Sequence, residues 1–281
     1  MKYVKLSFGY IFKNFLYIFL LAIVPTAYFG GLLSPFKTFE FMTNYSKITV
    51  RSFGDIFYSL IDFKILPIIL VVLGIAVLSV FVSLAIGQME NHMRSGKLNY
   101  KSMFQYLNNN ILVVIVNLSI ILLIWFVLQF LLSGLIILLH IICSGIGNQP
   151  TVLNIVLAVI LCVIKFIIFM FITSIIFLTI PNMLISGYPT KQAIANSIKL
   201  MNKNTFSYLL AMLVPFVVII PLACLLKGNL AYITNILGVL LLFIYYTSLC
   251  MTSYFELSNI NRYDNRKYYN YWYQKIRWRY V

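Results

Sequence analysis

Six stretches of this chain are apolar over the length needed to cross a bilayer, and that repetition limits the fold more than any other feature. They cover residues 15–33, 65–87, 111–143, 152–180, 206–226 and 230–255. An α-helix rises 1.5 Å per residue, so roughly twenty residues cross a hydrocarbon core of about 30 Å. In lipid, a helix satisfies its own backbone polar groups. The expected fold is therefore all-α: an integral membrane protein of six transmembrane helices. Of 281 residues, 62% are hydrophobic and only 10% charged, with a mean hydropathy of +0.96. Soluble domains carry about a quarter charged residues, which excludes a single water-soluble globule. The third run is long enough that it must tilt or protrude. The first is expected to bend near Pro25, and the fifth carries Pro215 and Pro221. Lys2, Lys5 and Lys13 precede the first run as in a secretory signal. That run is too long for a signal core, however, and no small-x-small site closes it, so an uncleaved first span is expected.

Charge gives the expected orientation. The chain has 21 Lys plus Arg against 6 Asp plus Glu, a net charge of +15. The N-terminus, the links 88–110 and 182–205 and the tail 256–281 fall on one side and hold fifteen of the basic residues. The other side holds five, Lys37, Lys47, Arg51, Lys64 and Lys227, and Lys165 lies within a span. The positive-inside rule then places both termini in the cytoplasm of a cell-membrane protein. Cys143, Cys162, Cys224 and Cys250 lie in or beside apolar runs without metal or redox spacing, and read as small buried hydrophobes.

Two polar interludes read as short amphipathic helices. In the first, Phe53, Ile56, Phe57, Leu60 and Ile61 form one stripe and Asp55, Ser59 and Asp62 the opposite one. With Ser52 as N-cap, this predicts a helix on the outer membrane surface. The second lies on the cytoplasmic side, from Ser186 to Lys203. Gly187 and Pro189 mark a turn, Thr190 is the N-cap, and Ile194, Ile198 and Met201 recur at helical spacing. Lys191, Ile194, Ile198, Lys199 and Met201 are the candidate docking residues for a cytoplasmic partner such as an ATPase.

The link from Ser95 to Asn110 and the one from Ser186 to Asn204 share a Ser-Gly turn, a capping residue, a short amphipathic segment and an Asn-rich exit. A parallel repeat of span, surface helix and span is one reading; likeness between any two positive loops is the other. The residues involved are Gly96-Lys97 with Lys101-Ser102-Met103-Phe104, and Gly187-Tyr188-Pro189 with Ala193 to Met201. In these, the chain resembles bacterial proteins classed with the membrane domain of glycerophosphoryl diester phosphodiesterase, and related six-span proteins of unknown function. The resemblance covers Gly87 to Pro215. In that family the chemistry resides in a soluble domain with carboxylate and histidine metal ligands. No such domain is present in these 281 residues, so the resemblance implies no phosphodiesterase activity here.

Chemistry-bearing motifs are not found. There is no phosphate loop, no His-Glu-x-x-His and no Gly-x-Ser-x-Gly. Glu90 and His92 are two residues apart, point to different sides of a helix, and read as interfacial. No catalytic residue, cofactor or metal site is expected. Lys165 is the one charge within a span, and such residues are functional suspects by default. The turn near Gly147 makes spans three and four a hairpin, which sets Lys165 at about the depth of Gln129. Trp125, Gln129, Ser133 and His140 share a face of span three. Lys165, Gln129, Ser133, His140 and Trp125 thus form a candidate intramembrane polar site. The alternative is that Lys165 snorkels to the outer interface.

The tail after residue 255 interleaves Tyr and Trp with Arg262, Arg266, Lys267, Lys275, Arg277 and Arg279. Such mixing can bind single-stranded nucleic acid. Directly after a span, it points instead to anionic headgroups of the bilayer, and no nucleic-acid partner is expected. Two function classes stay open: a permease-like component of a transport or export system, and a membrane scaffold or lipid-interacting protein without a transported substrate.

Overall fold

Among the described residues every regular element is a helix, and several helix ends can be traced to a particular residue. A computed structural model describes residues 2–32, 41–42, 45, 52–60, 65–144, 152–202, 204–225 and 231–264, and no strand occurs among them. In order, the helices are α1 (Lys2–Leu32), α2 (Phe53–Leu60), α3 (Ile65–Ser95), α4 (Met103–Ser144), α5 (Val152–Ser186), α6 (Thr190–Asn202), α7 (Thr205–Leu213), α8 (Phe216–Leu225) and α9 (Ala231–Leu257). Among the described residues six helices are long and apolar enough to cross a membrane, the fifth formed by α7 and α8 together. At Val214 and Pro215 that helix turns: proline has no N–H to donate, and Val214 N–H bonds Ala211 O at 3.3 Å instead.

Three helices stop on a left-handed residue. Gly96 (φ 70°) ends α3 and Gly187 (φ 67°) ends α5, a conformation that glycine adopts without a Cβ clash. Asn259 (φ 53°) ends α9, with Ile260 N–H donating to Phe255 O at 2.9 Å. The bend expected at Pro25 is found elsewhere. Pro25 lies inside α1, and the non-helical dihedrals (φ −126°, ψ 20°) are at Asn14, whose side-chain amide donates to Tyr10 O at 3.1 Å. The fourth run also continues past Ile180 and Pro181 to Ser186. Neighbouring polar side chains let a membrane helix absorb a proline, and Thr179 and Asn182 flank this one.

Contacts in register fix the directions of the helices. α1 and α9 run antiparallel, with Lys2 paired to Glu256 at 2.5 Å and the Ser7 and Thr252 hydroxyls 3.1 Å apart. At the other end a Cβ on Gly30 would lie 2.6 Å from Ile236 Cα, so only glycine permits that approach. Tyr10 meets His92 and Tyr28 donates to Leu70 O, so α1 and α3 are antiparallel too. Ser186 meets Tyr254, and Cys250 Sγ reaches Phe177 O at 2.9 Å, which sets α5 and α9 parallel. The start of α1 and the ends of α3, α5 and α9 therefore share one end of the bundle, here called the terminal face.

The main core lies toward that face. It is built from α1 up to Ala22, the second half of α3, the end of α5, α7, and the second half of α9, with Tyr10, Met89, Met93, Tyr208, Tyr254 and Phe255 fully buried. α4 is 42 residues long, about 63 Å at 1.5 Å per residue, roughly twice a hydrocarbon core. With α5 it forms an arm whose far half has a second, smaller core of Tyr45, Ile56, Leu60, Leu132, Ile136 and Cys162. α2 has the expected cap: Ser52 Oγ accepts from Asp55 N–H at 3.3 Å and Asp55 accepts from Ser52 N–H at 2.8 Å. Its buried face is Ile56, Phe57 and Leu60, as its periodicity predicts. That face packs on α4, with Phe53 against Phe130 and Phe57 against Phe126, rather than on lipid.

Candidate functional site

The intramembrane polar stripe is brought together in part. Lys165 is only 9% exposed, and its Nζ stands 6.0 Å from the centre of the Trp125 ring. That ring is a helical turn further from the hairpin tip than Gln129. The ammonium is thus held near an aromatic face. Gln129 and Ser133 are fully buried, and Ser133 Oγ donates to Gln129 O at 2.9 Å. His140 sits further out, its Nδ1 3.0 Å from Asn154 Nδ2. Asn154 escaped the sequence reading although it is a lone amide in an apolar run, one turn from the hairpin tip. Cys162 and Tyr45 pack in the small core beside it; burial pushes the Tyr45 phenol up to about 12, so it stays neutral. The result is a packed polar seam between two helices.

The surface helix α6 is built differently from its sequence stripe. Ala193, Ser197 and Met201, at i, i+4 and i+8, are the buried residues. Ser197 Oγ accepts from Asn182 Nδ2 at 2.8 Å and from Thr179 Oγ1 at 3.2 Å, and donates to Ala193 O at 2.7 Å. Asn196 Nδ2 donates to Asn182 Oδ1 at 2.6 Å. Small side chains let α6 approach α5 closely, and the hydrogen bonds lock it there. Of the docking residues, Met201 faces the core. Ile194 and Ile198 are 38% and 42% exposed, beside Lys191 and Lys199, which are also exposed. The docking set thus splits: Met201 packs inward, and the two isoleucines look outward with the lysines.

A third cluster at the terminal face had no sequence signal, because its members come from three separate segments. Tyr17 and Tyr10 hydroxyls are 2.5 Å apart, and Tyr10 Oη is 3.0 Å from His92 Nδ1. Arg262 makes a two-point ion pair with Asp264, at 2.7 and 3.1 Å, and its guanidinium lies 5.6 Å from the Tyr10 ring centre. Tyr263 N–H donates to Met93 O at 2.8 Å, which ties the start of the tail to α3. Arg262 is engaged with protein there. Arg266, Lys267, Lys275, Arg277 and Arg279 lie outside the described residues. Glu90 pairs with Arg94 at 3.0 Å. Among the described residues, no three His, Cys, Asp or Glu side chains gather as a metal site. Comparison with protein-family models, curated proteins and solved structures returned no match.

Proposed function

We propose that this is a six-span protein of the bacterial cytoplasmic membrane with both termini inside and no active site of its own. In this reading it is a permease-like component of a transport or export system, and α6 is the element that receives a soluble partner such as an ATPase. One observation carries the reading. α6 is bolted to α5 through Ser197, Asn182 and Thr179, yet it leaves Ile194, Ile198, Lys191 and Lys199 facing outward. A helix that is rigidly coupled to a membrane-spanning helix and still offers an apolar and basic face can transmit a partner's movement to the bundle. The fifteen-to-five bias of basic residues supports placing that face in the cytoplasm. The likeness of the two links to a membrane domain whose chemistry lies in a separate soluble unit fits the same division of labour.

The second reading, a membrane scaffold or lipid-interacting protein with no transported substrate, draws support from the interior. The cavity among α1, α3, α5 and α9, of about 200 Å³, is lined by Phe29, Leu78, Val82, Phe177, Leu242 and other apolar side chains. Such a lining suits lipid tails better than a polar solute. A photo-crosslinking residue at Ile198, with one at Tyr232 as control, separates the two. The first reading predicts a soluble protein captured at Ile198 alone, and its loss from an Ile194→Asp variant that still inserts. Capture of lipid only at both positions would favour the scaffold.

A further inference from the structure

The counter-charges on the terminal face do not balance. Its three described acids are all occupied: Glu256 by Lys2, Glu90 by Arg94, and Asp264 by Arg262. The segment beyond Asp264 contains no Asp or Glu. Lys13, like Lys5, Lys97, Lys101, Lys191 and Lys199, has no acidic partner among the described residues. Its side chain is exposed. It borders a cavity of about 460 Å³ between α1 and the link from α3 to α4, within the range of about 300–1,000 Å³ usual for small-molecule sites.

The cavity is polar at one end and apolar along its length. Lys13, Leu16, Tyr17 and Leu20 line it from α1, at i, i+3, i+4 and i+7, one face of the helix. From Lys13 to Leu20 this face descends about 10 Å at 1.5 Å per residue, away from the terminal face and toward the membrane. Leu16 and Leu20 are exposed. The facing wall has Leu98, Tyr100 and Met103. This wall is held in place: the Gln88 side-chain amide, turned to suit its partners, donates to Asn99 O at 3.1 Å and accepts from Asn99 N–H at 3.2 Å. The helical break at Asn14 lies at the polar end, so the segment that restarts there turns the positive end of its dipole to the same place.

We propose that this cavity binds one anionic glycerophospholipid, its phosphate against Lys13 and an acyl chain along Leu16 and Leu20. A free phosphate would be held by Lys13 without using the apolar wall, and a neutral lipid would use the wall without the charge. Neither the docking role of α6 nor the transport reading is required.

The test uses the purified full chain in neutral detergent, with the five basic residues from Arg266 to Arg279 replaced by Gln so that the tail adds no affinity. Native mass spectrometry reads binding of short-chain phosphatidylglycerol, short-chain phosphatidylcholine and glycerol phosphate. The expected result is phosphatidylglycerol bound about tenfold more tightly than phosphatidylcholine, which offers Lys13 the same phosphate but sets a trimethylammonium cation beside it. Lys13→Gln should abolish that preference, Lys13→Arg keep it, and Lys5→Gln leave it unchanged. Leu20→Trp should weaken both lipids. An unchanged preference in Lys13→Gln overturns the site. So does glycerol phosphate binding as tightly as the lipid, with Leu20→Trp without effect, which would make it a soluble-anion site.

Discussion

At the scale of single residues, Lys165 shows how far composition reasoning goes. A lone lysine in an apolar run marked the position, and hairpin geometry placed it opposite span three. Trp125, read from the same face of span three as Gln129, is the member of that stripe whose ring the ammonium meets. A basic side chain at mid-helix costs about 2.5–3.5 kcal/mol on insertion scales. The Trp125 face returns about 0.5–2 kcal/mol. Among the described residues no acid offsets the remainder, so Lys165→Met is expected to stabilise the protein by about 1–2 kcal/mol, seen as a higher melting temperature in detergent. Trp125→Leu should destabilise the wild type more than it does the Lys165→Met variant. Equal effects in both backgrounds would show that the ring does not hold the cation.

At the scale of elements, the helices that turn on capping chemistry were legible and those that turn on packing were not. Ser52 was visible as a cap because a cap is a local event, and it recurs in the structure with its partner Asp55. α6 was legible as a helix, but its orientation about its axis was not. The spacing of Ile194, Ile198 and Met201 marks one stripe, yet of the three only Met201 turns to the core, on the side of Ala193 and Ser197. Alanine and serine take the inside because they let two helices touch. Asn182 is the pin of this joint, with bonds to Ser197, Asn196 and Leu178 O. Asn182→Leu strands the Ser197 and Asn196 groups and is expected to cost about 1–3 kcal/mol. Amide exchange should accelerate in α6 before it does in α9. Uniform acceleration across the bundle would mean that α6 is not a separately held element.

For the whole molecule, the sequence yields the number of long apolar helices and their alternating directions. The placement of the core is the part it hides. Nothing in the hydropathy of α4 distinguishes the half that enters the main bundle from the half that pairs with α2. That division follows from buried polar and aromatic groups such as Tyr10, Tyr254 and Asn110, whose partners lie tens of residues away. The account stands on one claim above the others: the terminal face, with α6 on it, looks into the cytoplasm. Single cysteines at Ser46, Asn148, Asn99 and Lys191, in a chain whose own four cysteines are replaced, test it through labelling of intact cells with a membrane-impermeant thiol reagent. Ser46 and Asn148 should label, while Asn99 and Lys191 should label only after the membrane is opened. Labelling of Asn99 and Lys191 in sealed cells, with Ser46 and Asn148 protected, would contradict the orientation and the docking role built on it.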